Sequence, residues 1–344
     1  MAHKHRTHRN HGRHGENASR DKLLIKAVAG TIAIIAALIA IFVIGDRLEP
    51  ETKESRGSIE GFFEPTLTME HDGRTYAHQE LDYTTLLFIG VDKPALTGAT
   101  LRQSGQADFL LLMTIDREDR EIDMLQIDRD TIAKVQVYGA FGNPAGTRET
   151  QICLSYAFGT NPEKACQNTV AAVETLLGGV PVDHYIALDM DGMSVLNDAL
   201  GGVTVTLEED FTDLDPAMAA GETIRLQGQQ AEFYLRSRSE VGDGTNASRM
   251  DRQATFMEAA AELLSKRMAA DAGFVGELLS ALDEHLVISC EQMWLVNQAY
   301  DAHKYPRTGL KKLDGVHTVG SDGFVEFHAD TEALMDYIIN TFCE

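Results

Sequence analysis

Four arginines lie close together in the segment 226–253 of a chain whose formal net charge is −23. The residues AEFYLRSR predict a strand, and the period-2 geometry of a strand would place Arg236 and Arg238 on one face. A turn rich in Gly and Asn follows. Either Thr245 or Asn246 can then cap the long helix that the pattern predicts next.

The predicted helix carries three further polar side chains on one face. Arg249, Arg252 and Gln253 are spaced i, i+3 and i+4 in its first turns. Cations near a helix N-terminus oppose the macrodipole, so local stability does not explain them. An anion bound between the strand end and the helix start would explain them, because backbone N–H groups and guanidinium forks favour phosphate. The alternative is a surface strand and helix whose arginines pair with the many acids of the chain.

Two carboxylates form the acidic half of this candidate site. Asp92 ends one hydrophobic strand and Asp108 opens the next, and such a pair can share a hard cation such as Mg²⁺. Arg129 follows the predicted strand Glu121–Ile127 and adds another cation. A metal ion and several guanidiniums together would neutralise a pyrophosphate. The alternative is that the aspartates only cap turns.

The charge of the chain is unevenly distributed. Residues 1–26 carry seven basic and two acidic residues, a net charge of +5, so the remaining residues carry −28. So acidic a body argues against a general nucleic-acid binder, because such a protein needs a basic face to neutralise phosphates.

Strand and helix patterns alternate after about residue 81, which indicates an α/β sandwich. A hairpin is predicted from strands at 109–116 and 121–127, with further strands at 185–188 and 203–207 and helices at 161–178, 190–200, 247–268 and 331–342. The four cysteines have no metal-type spacing. They permit the disulfides Cys153–Cys166 and Cys290–Cys343, and buried free thiols are the alternative.

The N-terminal part predicts a membrane anchor. Residues 1–26 are interpreted as a basic cytoplasmic tail, and the uncharged run 27–45 is long enough to span a bilayer as one helix. The basic residues before this run place the N-terminus inside. A cleaved signal peptide is the alternative, although no clear cleavage site precedes Asp46. Residues 46–80 would be an extracytoplasmic linker.

Six sequence pieces occur in one order between about residues 86 and 268: LLFIGVD, QADFLLLMTID, QIDRDT, ALGGVTV, LQGQQAEFYLRSR and GDGTNASRMDRQ. With them the chain resembles the LytR–CpsA–Psr family of bacterial cell-envelope proteins. The resemblance implies a three-layer α/β/α sandwich with a mixed central sheet as the catalytic domain, 81–268. The resemblance assigns nothing to residues 269–344, where we expect a C-terminal helical extension packed on that domain.

The resemblance also implies an activity outside the membrane. Proteins of this family are phosphotransferases that move a glycopolymer from a polyprenyl-pyrophosphate carrier to peptidoglycan. Carried over by position, the metal ligands for Mg²⁺ would be Asp92 and Asp108, and the catalytic residues Arg129, Arg236 and Arg238. The pyrophosphate would be bound by Arg129, Arg236, Arg238, Arg249, Arg252 and Gln253. The lipid would lie in an apolar tunnel, for which Val170, Val173 and Phe256 are the candidate lining residues.

The chain also departs from the family pattern. It has Lys93-Pro94 where an arginine often follows the first aspartate, Gln106-Ala107 where Arg-Ser is usual, and Asp128 where a proline usually precedes Arg129. Two alternatives follow for the activity: a hydrolase of lipid pyrophosphate that uses water as acceptor, and a non-catalytic envelope sensor. By placement, Asp130 and Asp243 are the candidate bases for the acceptor hydroxyl.

Overall fold

The structure is a computed structural model, and it describes residues 68–71, 73–77, 83–92, 105–138, 143–238, 241–271, 273–302 and 305–343. The predicted tail (1–26), the predicted membrane helix (27–45) and most of the predicted linker lie outside these residues. In the ranges that are described, no helix combines the length and the apolar character needed to cross a membrane.

The described residues form fourteen strands and eight α-helices. The strands are β1 (Thr68–His71), β2 (Arg74–Ala77), β3 (Tyr83–Val91), β4 (Ala107–Asp116), β5 (Glu121–Ile127), β6 (Ile132–Tyr138), β7 (Pro144–Gln151), β8 (His184–Leu188), β9 (Thr204–Thr206), β10 (Thr223–Arg225), β11 (Leu286–Ile288), β12 (Arg307–Lys312), β13 (Gly315–Val319) and β14 (Val325–Ala329). The helices are α1 (Leu154–Ala157), α2 (Pro162–Leu176), α3 (Met190–Leu200), α4 (Gln229–Arg236), α5 (Asn246–Ala270), α6 (Phe274–Leu282), α7 (Gln292–Ala302) and α8 (Thr331–Phe342).

The central sheet has six strands in the order β11-β8-β3-β4-β5-β12. Strands β3, β4 and β5 form an antiparallel meander, whereas β8 runs parallel to β3 and β12 runs parallel to β5. The sheet is therefore mixed. Strands β3 and β4 are apolar and buried along almost their whole length, as expected for central strands that helices cover on both faces.

Alternate residues of β3 pack into two separate cores. Leu86 and Phe88 join a first core that contains residues of α3, α4, α5 and α6, while Leu87 and Ile89 join a second core that contains residues of α2 and α8. This is the three-layer α/β/α arrangement with a mixed sheet that the sequence predicts. The predicted β4–β5 hairpin and the predicted bounds of α3 and α8 are also confirmed.

The C-terminal quarter is not a purely helical extension, so that expectation is wrong. Strands β11 and β12 lie in this segment and form the two edges of the central sheet. Helix α8 adds Ile338 and Phe342 to the second core. The two edge strands are short, and β12 is basic at both ends, so they lack the alternating apolar pattern by which a strand is recognised from sequence.

The predicted disulfides Cys153–Cys166 and Cys290–Cys343 are wrong, because all four cysteines are free thiols. The Cys153 Sγ lies 3.5 Å from Nη2 of Arg129, and Cys166 is buried in the second core. Cys290 packs against the first core and Cys343 against the second, so the sheet separates them. The alternative prediction of free thiols is therefore confirmed.

Candidate functional site

The acidic pair lies where β3 ends and β4 begins. The pairing of these two strands shifts register at Gly90 and Val91. Just beyond, the Asp92 N–H donates to Gln106 O at 3.1 Å, and the Gln106 N–H donates to Asp92 Oδ1. This exchange holds Asp92 close to Asp108, two residues further on. Burial and the charge of the Asp108 carboxylate raise the pKa of Asp92 to about 8.

Two guanidiniums hold the Asp108 carboxylate, which is 3% exposed. Arg129 donates through Nη1 to Asp108 Oδ1, and Nη1 of Arg249 lies 3.5 Å from Oδ2. The second amino group of Arg129 donates to Gln106 Oε1 at 2.5 Å. Burial lowers the pKa of Arg249 to about 10, so its guanidinium still carries a proton at neutral pH. Asp108 therefore binds the guanidiniums of Arg129 and Arg249 at the end of the β3–β4 strand pair.

The segment that carries Arg236 and Arg238 is a helix and not the strand that the sequence predicts. Arg236 is the last residue of α4, and its Nη1 pairs with Glu232 one turn earlier. The charge of Arg236 also acts on Asp92 and Asp108. Because Arg238 follows the helix end, the two arginines reach the site from α4 and from the loop after it, and not from one face of a strand.

Arg238 is half-buried, and its side chain forms no hydrogen bond or ion pair with any residue in the described part of the chain. Its positive charge nevertheless acts on Asp130 and on Arg249. Its guanidinium donors are therefore available to a ligand. Among the arginines of the site, Arg238 is the one whose donors the described residues use least.

Arg252 and Gln253 hold the end of α4. Arg252 donates through Nε to Tyr234 O at 2.9 Å and through Nη2 to Ser237 O, and its Nη1 pairs with Glu209. The Gln253 amide donates to a backbone carbonyl of α4 at 3.3 Å. Pyrophosphate binding by these two side chains stays a prediction, and in the structure both also fix the helix that presents Arg236 and Arg238.

The candidate lining residues of a lipid tunnel do not share one cavity. Val173 is buried in the second core, and Val170 packs against that core. Phe256 is fully buried in the first core, on the other side of the sheet. The proposed grouping of these three residues is therefore wrong, because the 3.6-residue period identifies a buried helix face but not the layer that the face meets.

The candidate bases differ in their surroundings. Asp243 is exposed, and hydrogen bonds from the backbone and hydroxyl of Thr245 lower its pKa, which makes it a weak base. Asp130 is 3% exposed, and burial raises its pKa. Its Oδ2 is buried and has no hydrogen-bond partner. An acceptor hydroxyl has no open path to that oxygen.

Several residues of the site were missed from the sequence. They are Gln106, Gln126, Glu209, Glu232, Asn246 and His317. Glu232 stands four residues before Arg236, and this spacing would have indicated a pair if the segment had been recognised as a helix. Gln106 is one of the departures from the family pattern, and here it supports Arg129. The other departures near residue 93 lie outside the described residues.

The donor set suits a magnesium ion that keeps most of its other ligands as water or phosphate oxygens. Asp92 and Asp108 are two carboxylates close enough to disfavour each other's charge, and a shared cation would relieve that repulsion. In the described ranges no group of three or more His, Cys, Asp or Glu residues could enclose a metal ion. A closed protein cage is therefore not what these residues offer.

The described fold is similar to solved structures of bacterial proteins. The crystal structure of B. subtilis TagV matches with a TM-score of 0.58 at 21% identity, covering 76% of this chain and 98% of that one. B. subtilis TagU matches with a TM-score of 0.52 at 24% identity, covering 75% and 95%. At this level of identity the likeness shows a shared fold.

Two relatives found by sequence have higher identities to this chain than these two structures do. The teichoic acid transferase TagU of Halalkalibacterium halodurans is 34% identical over 178 residues, which is 52% of each chain. The corresponding TagU of Bacillus subtilis is 29% identical over 261 residues, covering 74% of this chain and 76% of the relative. The match to Bacillus subtilis TagV covers 57% of that relative. The chain thus spans little more than half the length of two of these relatives.

Residues 51–290, which hold every arginine and carboxylate discussed above, match one family model, described as the LytR_cpsA_psr family. That match covers more than two thirds of the 344 residues. The chain is therefore a member of the LytR_cpsA_psr family.

Proposed function

We propose that this protein is a membrane-anchored phosphotransferase that moves a glycopolymer from a polyprenyl-pyrophosphate carrier to peptidoglycan. The observation that carries the proposal is a cluster of arginines around two carboxylates in an otherwise acidic chain. Its relatives in Halalkalibacterium halodurans and Bacillus subtilis are named polyisoprenyl-teichoic acid–peptidoglycan teichoic acid transferases. The anchor would be the run 27–45, with the N-terminus in the cytoplasm and the domain outside.

The proposed substrate fits the charges of the site. A pyrophosphate diester carries two negative charges, and Arg129, Arg236 and Arg249 lie around the carboxylate pair that would share its counter-ion. Guanidinium forks match phosphate oxygens in geometry as well as charge. Arg238, whose donors no described residue uses, is the side chain we expect to contact the phosphates most directly.

Mg²⁺ held by Asp92 and Asp108 would supply a Lewis acid that withdraws charge from the phosphate oxygens. The chain's own residues do the remaining work. Arg129 and Arg249 fix the orientation of Asp108, while Arg236 and Arg238 stabilise the charge that develops on the transferring phosphoryl group and on the departing lipid phosphate. Catalysis in such a site is mainly positioning together with electrostatic stabilisation.

The test uses the full-length protein in phospholipid vesicles with Mg²⁺, a polyprenyl-pyrophosphate-linked oligosaccharide as donor and peptidoglycan strands as acceptor. We expect a phosphodiester-linked product from the wild type and from the control Arg225→Ala, whose arginine is exposed on β10. We expect Arg238→Ala to lose most of this product. Release of free oligosaccharide phosphate without any acceptor would favour a hydrolase, and donor binding without turnover would favour a sensor.

A further inference from the structure

The hairpin formed by β13 and β14 brings a histidine to the edge of the site. His317 Nε2 lies 2.9 Å from Asp128 Oδ2, across 189 residues of sequence. Its ring lies against Phe327, its cross-strand neighbour, with 4.8 Å between the ring centroids. Asp128 is the residue immediately before Arg129, so the imidazole is held one residue from the cation that binds Asp108.

The hairpin is attached to the domain at this place by backbone contacts. The Phe327 N–H donates to Asp130 O at 2.8 Å, and Thr131 forms an isolated bridge with Phe327. The Gln151 side chain donates to Val325 O at 2.6 Å. Phe327 itself is 5% exposed, so the hairpin is packed at its point of attachment. The position of His317 is therefore set by the backbone and not only by its own hydrogen bond.

Asp128 connects the imidazole to the centre of the site. Its Oδ1 accepts from Asn246 Nδ2 at 2.7 Å, and Asn246 Oδ1 accepts from Arg249 Nη2 at 2.5 Å. Arg249 Nη1 in turn lies 3.5 Å from Asp108 Oδ2. A continuous series of polar contacts thus runs from His317 to the proposed metal ligand. The charged groups along it are Asp128, Arg249 and Asp108, with Arg129 and Asp130 beside them.

The imidazole has the features that a general base requires. In the neutral imidazole, Nε2–H donates to the Asp128 carboxylate, and the Nδ1 lone pair is the one that can accept a proton. Within the described residues Nδ1 has no hydrogen-bond partner. The His317 side chain is 38% exposed, whereas the free oxygen of Asp130 is buried. A hydroxyl from solution can therefore reach His317.

We propose that His317 is the base that takes the proton from the acceptor hydroxyl, with Asp128 as its positioning residue; this rests on the proposed transferase function. The acceptor oxygen forms a bond to the polymer-proximal phosphorus, and the bond from that phosphorus to the bridging oxygen breaks. The lipid phosphate leaves with the electron pair of the broken bond. The hydroxyl proton passes to Nδ1 of His317 and then to solvent.

Both partners are features of this chain that the family resemblance does not supply. Asp128 stands where the family usually has a proline, and His317 lies beyond residue 290, where the family match ends. The two residues meet only because β13 packs beside the loop that carries Arg129. The structure thus pairs a departure inside the family domain with a residue outside it.

The test compares His317→Gln with His328→Gln in the full-length protein, using the vesicle assay described above across pH 5.5–8.5. A glutamine at 317 can still donate to Asp128 but cannot accept a proton. His328 is exposed on the same hairpin, and its imidazole contacts only the side chains of Thr318 and Glu326 among the described residues, so it is the matched control. Donor binding is measured separately by calorimetry, and His317→Ala is assayed with and without added imidazole.

We expect His317→Gln to lower kcat about 100-fold or more, the usual effect of removing a general base, with donor binding unchanged. The part of the rise of the rate with pH that His317 contributes should be lost in this variant, which leaves the rise caused by Mg²⁺ binding at Asp92, and imidazole should restore part of the rate to His317→Ala. Wild-type rates and an unchanged pH profile in His317→Gln would overturn the base assignment alone. If His317→Gln no longer binds the polyprenyl-pyrophosphate donor, the histidine has a structural role and is not the base. A wild type that attaches no polymer would instead overturn the proposed function.

Discussion

The arginines of the site differ in how many of their N–H donors the protein uses. Arg129 donates through one amino group to Asp108 and through the other to Gln106. Arg252 donates to α4 and to Glu209. Arg238 donates to no described residue. At the scale of single residues, then, the same type of side chain supports neighbouring elements in one position and leaves its donors unused by the described residues in another.

The bridging role of Arg129 depends on its planar fork. A lysine in its place keeps the positive charge but reaches only one of Asp108 and Gln106 at a time. We expect Arg129→Lys to reduce polymer transfer about 100-fold, the order of magnitude for losing one preorganised donor. The same exchange at exposed Arg225 should have no effect. A fully active Arg129→Lys protein would show that charge alone suffices at this position.

Magnesium binding should depend on pH because Asp92 must lose its proton first. Burial and Asp108 raise the pKa of Asp92 to about 8, so below that pH the proton and the metal ion compete. We expect the rise in Tm caused by Mg²⁺ to be larger at pH 8.5 than at pH 6.5, with the affinity changing by about tenfold per pH unit. Asp92→Asn should abolish the Mg²⁺ effect at both values. Differential scanning fluorimetry with and without EDTA measures the rise in Tm caused by Mg²⁺. A rise that does not change with pH would contradict Asp92 as a magnesium ligand.

At the scale of elements, α4 is held in place by α5. Arg252 and Gln253, in the second turn of α5, contact the last carbonyls of α4 and the loop after it. A helix of eight residues is too short to be stable alone, so these contacts and the burial of Leu235 keep it helical. The orientation of Arg236 and Arg238 is therefore a property of the α4–α5 pair.

Arg252→Ala should unfold more easily than Arg238→Ala. The first change removes the guanidinium that pairs with Glu209 and that donates to the two carbonyls Tyr234 O and Ser237 O, which we expect to lower the free energy of unfolding by about 3 kcal/mol. The second removes no side-chain hydrogen bond or ion pair among the described residues and should change stability little. Urea titrations followed by circular dichroism measure both. Equal midpoints for the two variants would refute the distinction.

Local sequence could not decide between strand and helix for this segment. In AEFYLRSR the buried residues Ala231, Tyr234 and Leu235 also fit helical spacing, and short apolar runs are ambiguous between the two periods. The contacts that favour the helix come from α5, about 18 residues later in the chain. By contrast, Asp92 and Asp108 could be placed correctly, because Asp92 directly follows one long and almost wholly apolar strand and Asp108 lies at the start of another.

His317 illustrates what sequence reasoning could not reach. It belongs to an exposed hairpin with no pattern that links it to Asp128, and only the folded chain shows the two side chains in contact. The same holds for Cys290 and Cys343, whose assignment to opposite sides of the sheet depends on the path of the whole chain. Long-range packing, and not residue type, decides these cases.

At the scale of the whole molecule, the segment after residue 290 is part of the domain. Phe342 is fully buried in the second core, where its ring lies 5.6 Å from that of Tyr83. We expect Phe342→Ala to lower the free energy of unfolding by about 3 to 5 kcal/mol, the range for deleting a buried aromatic side chain. Phe324→Ala removes the same group from a side chain that is 64% exposed and should cost far less. Similar unfolding midpoints for both would mean that α8 is not part of the cooperative unit.

The strand order of the central sheet has a consequence for how the chain folds. The four inner strands are complete by residue 188, but the strands that cover both edges come from residues 286–288 and 307–312. Until then, the growing chain exposes unpaired strand edges that can pair with other chains. Pairing between strands that lie far apart in the sequence is also slow during folding. A chain made from its N-terminus onward would therefore depend on chaperones until residues 307–312 have been synthesised and can close the second edge of the sheet.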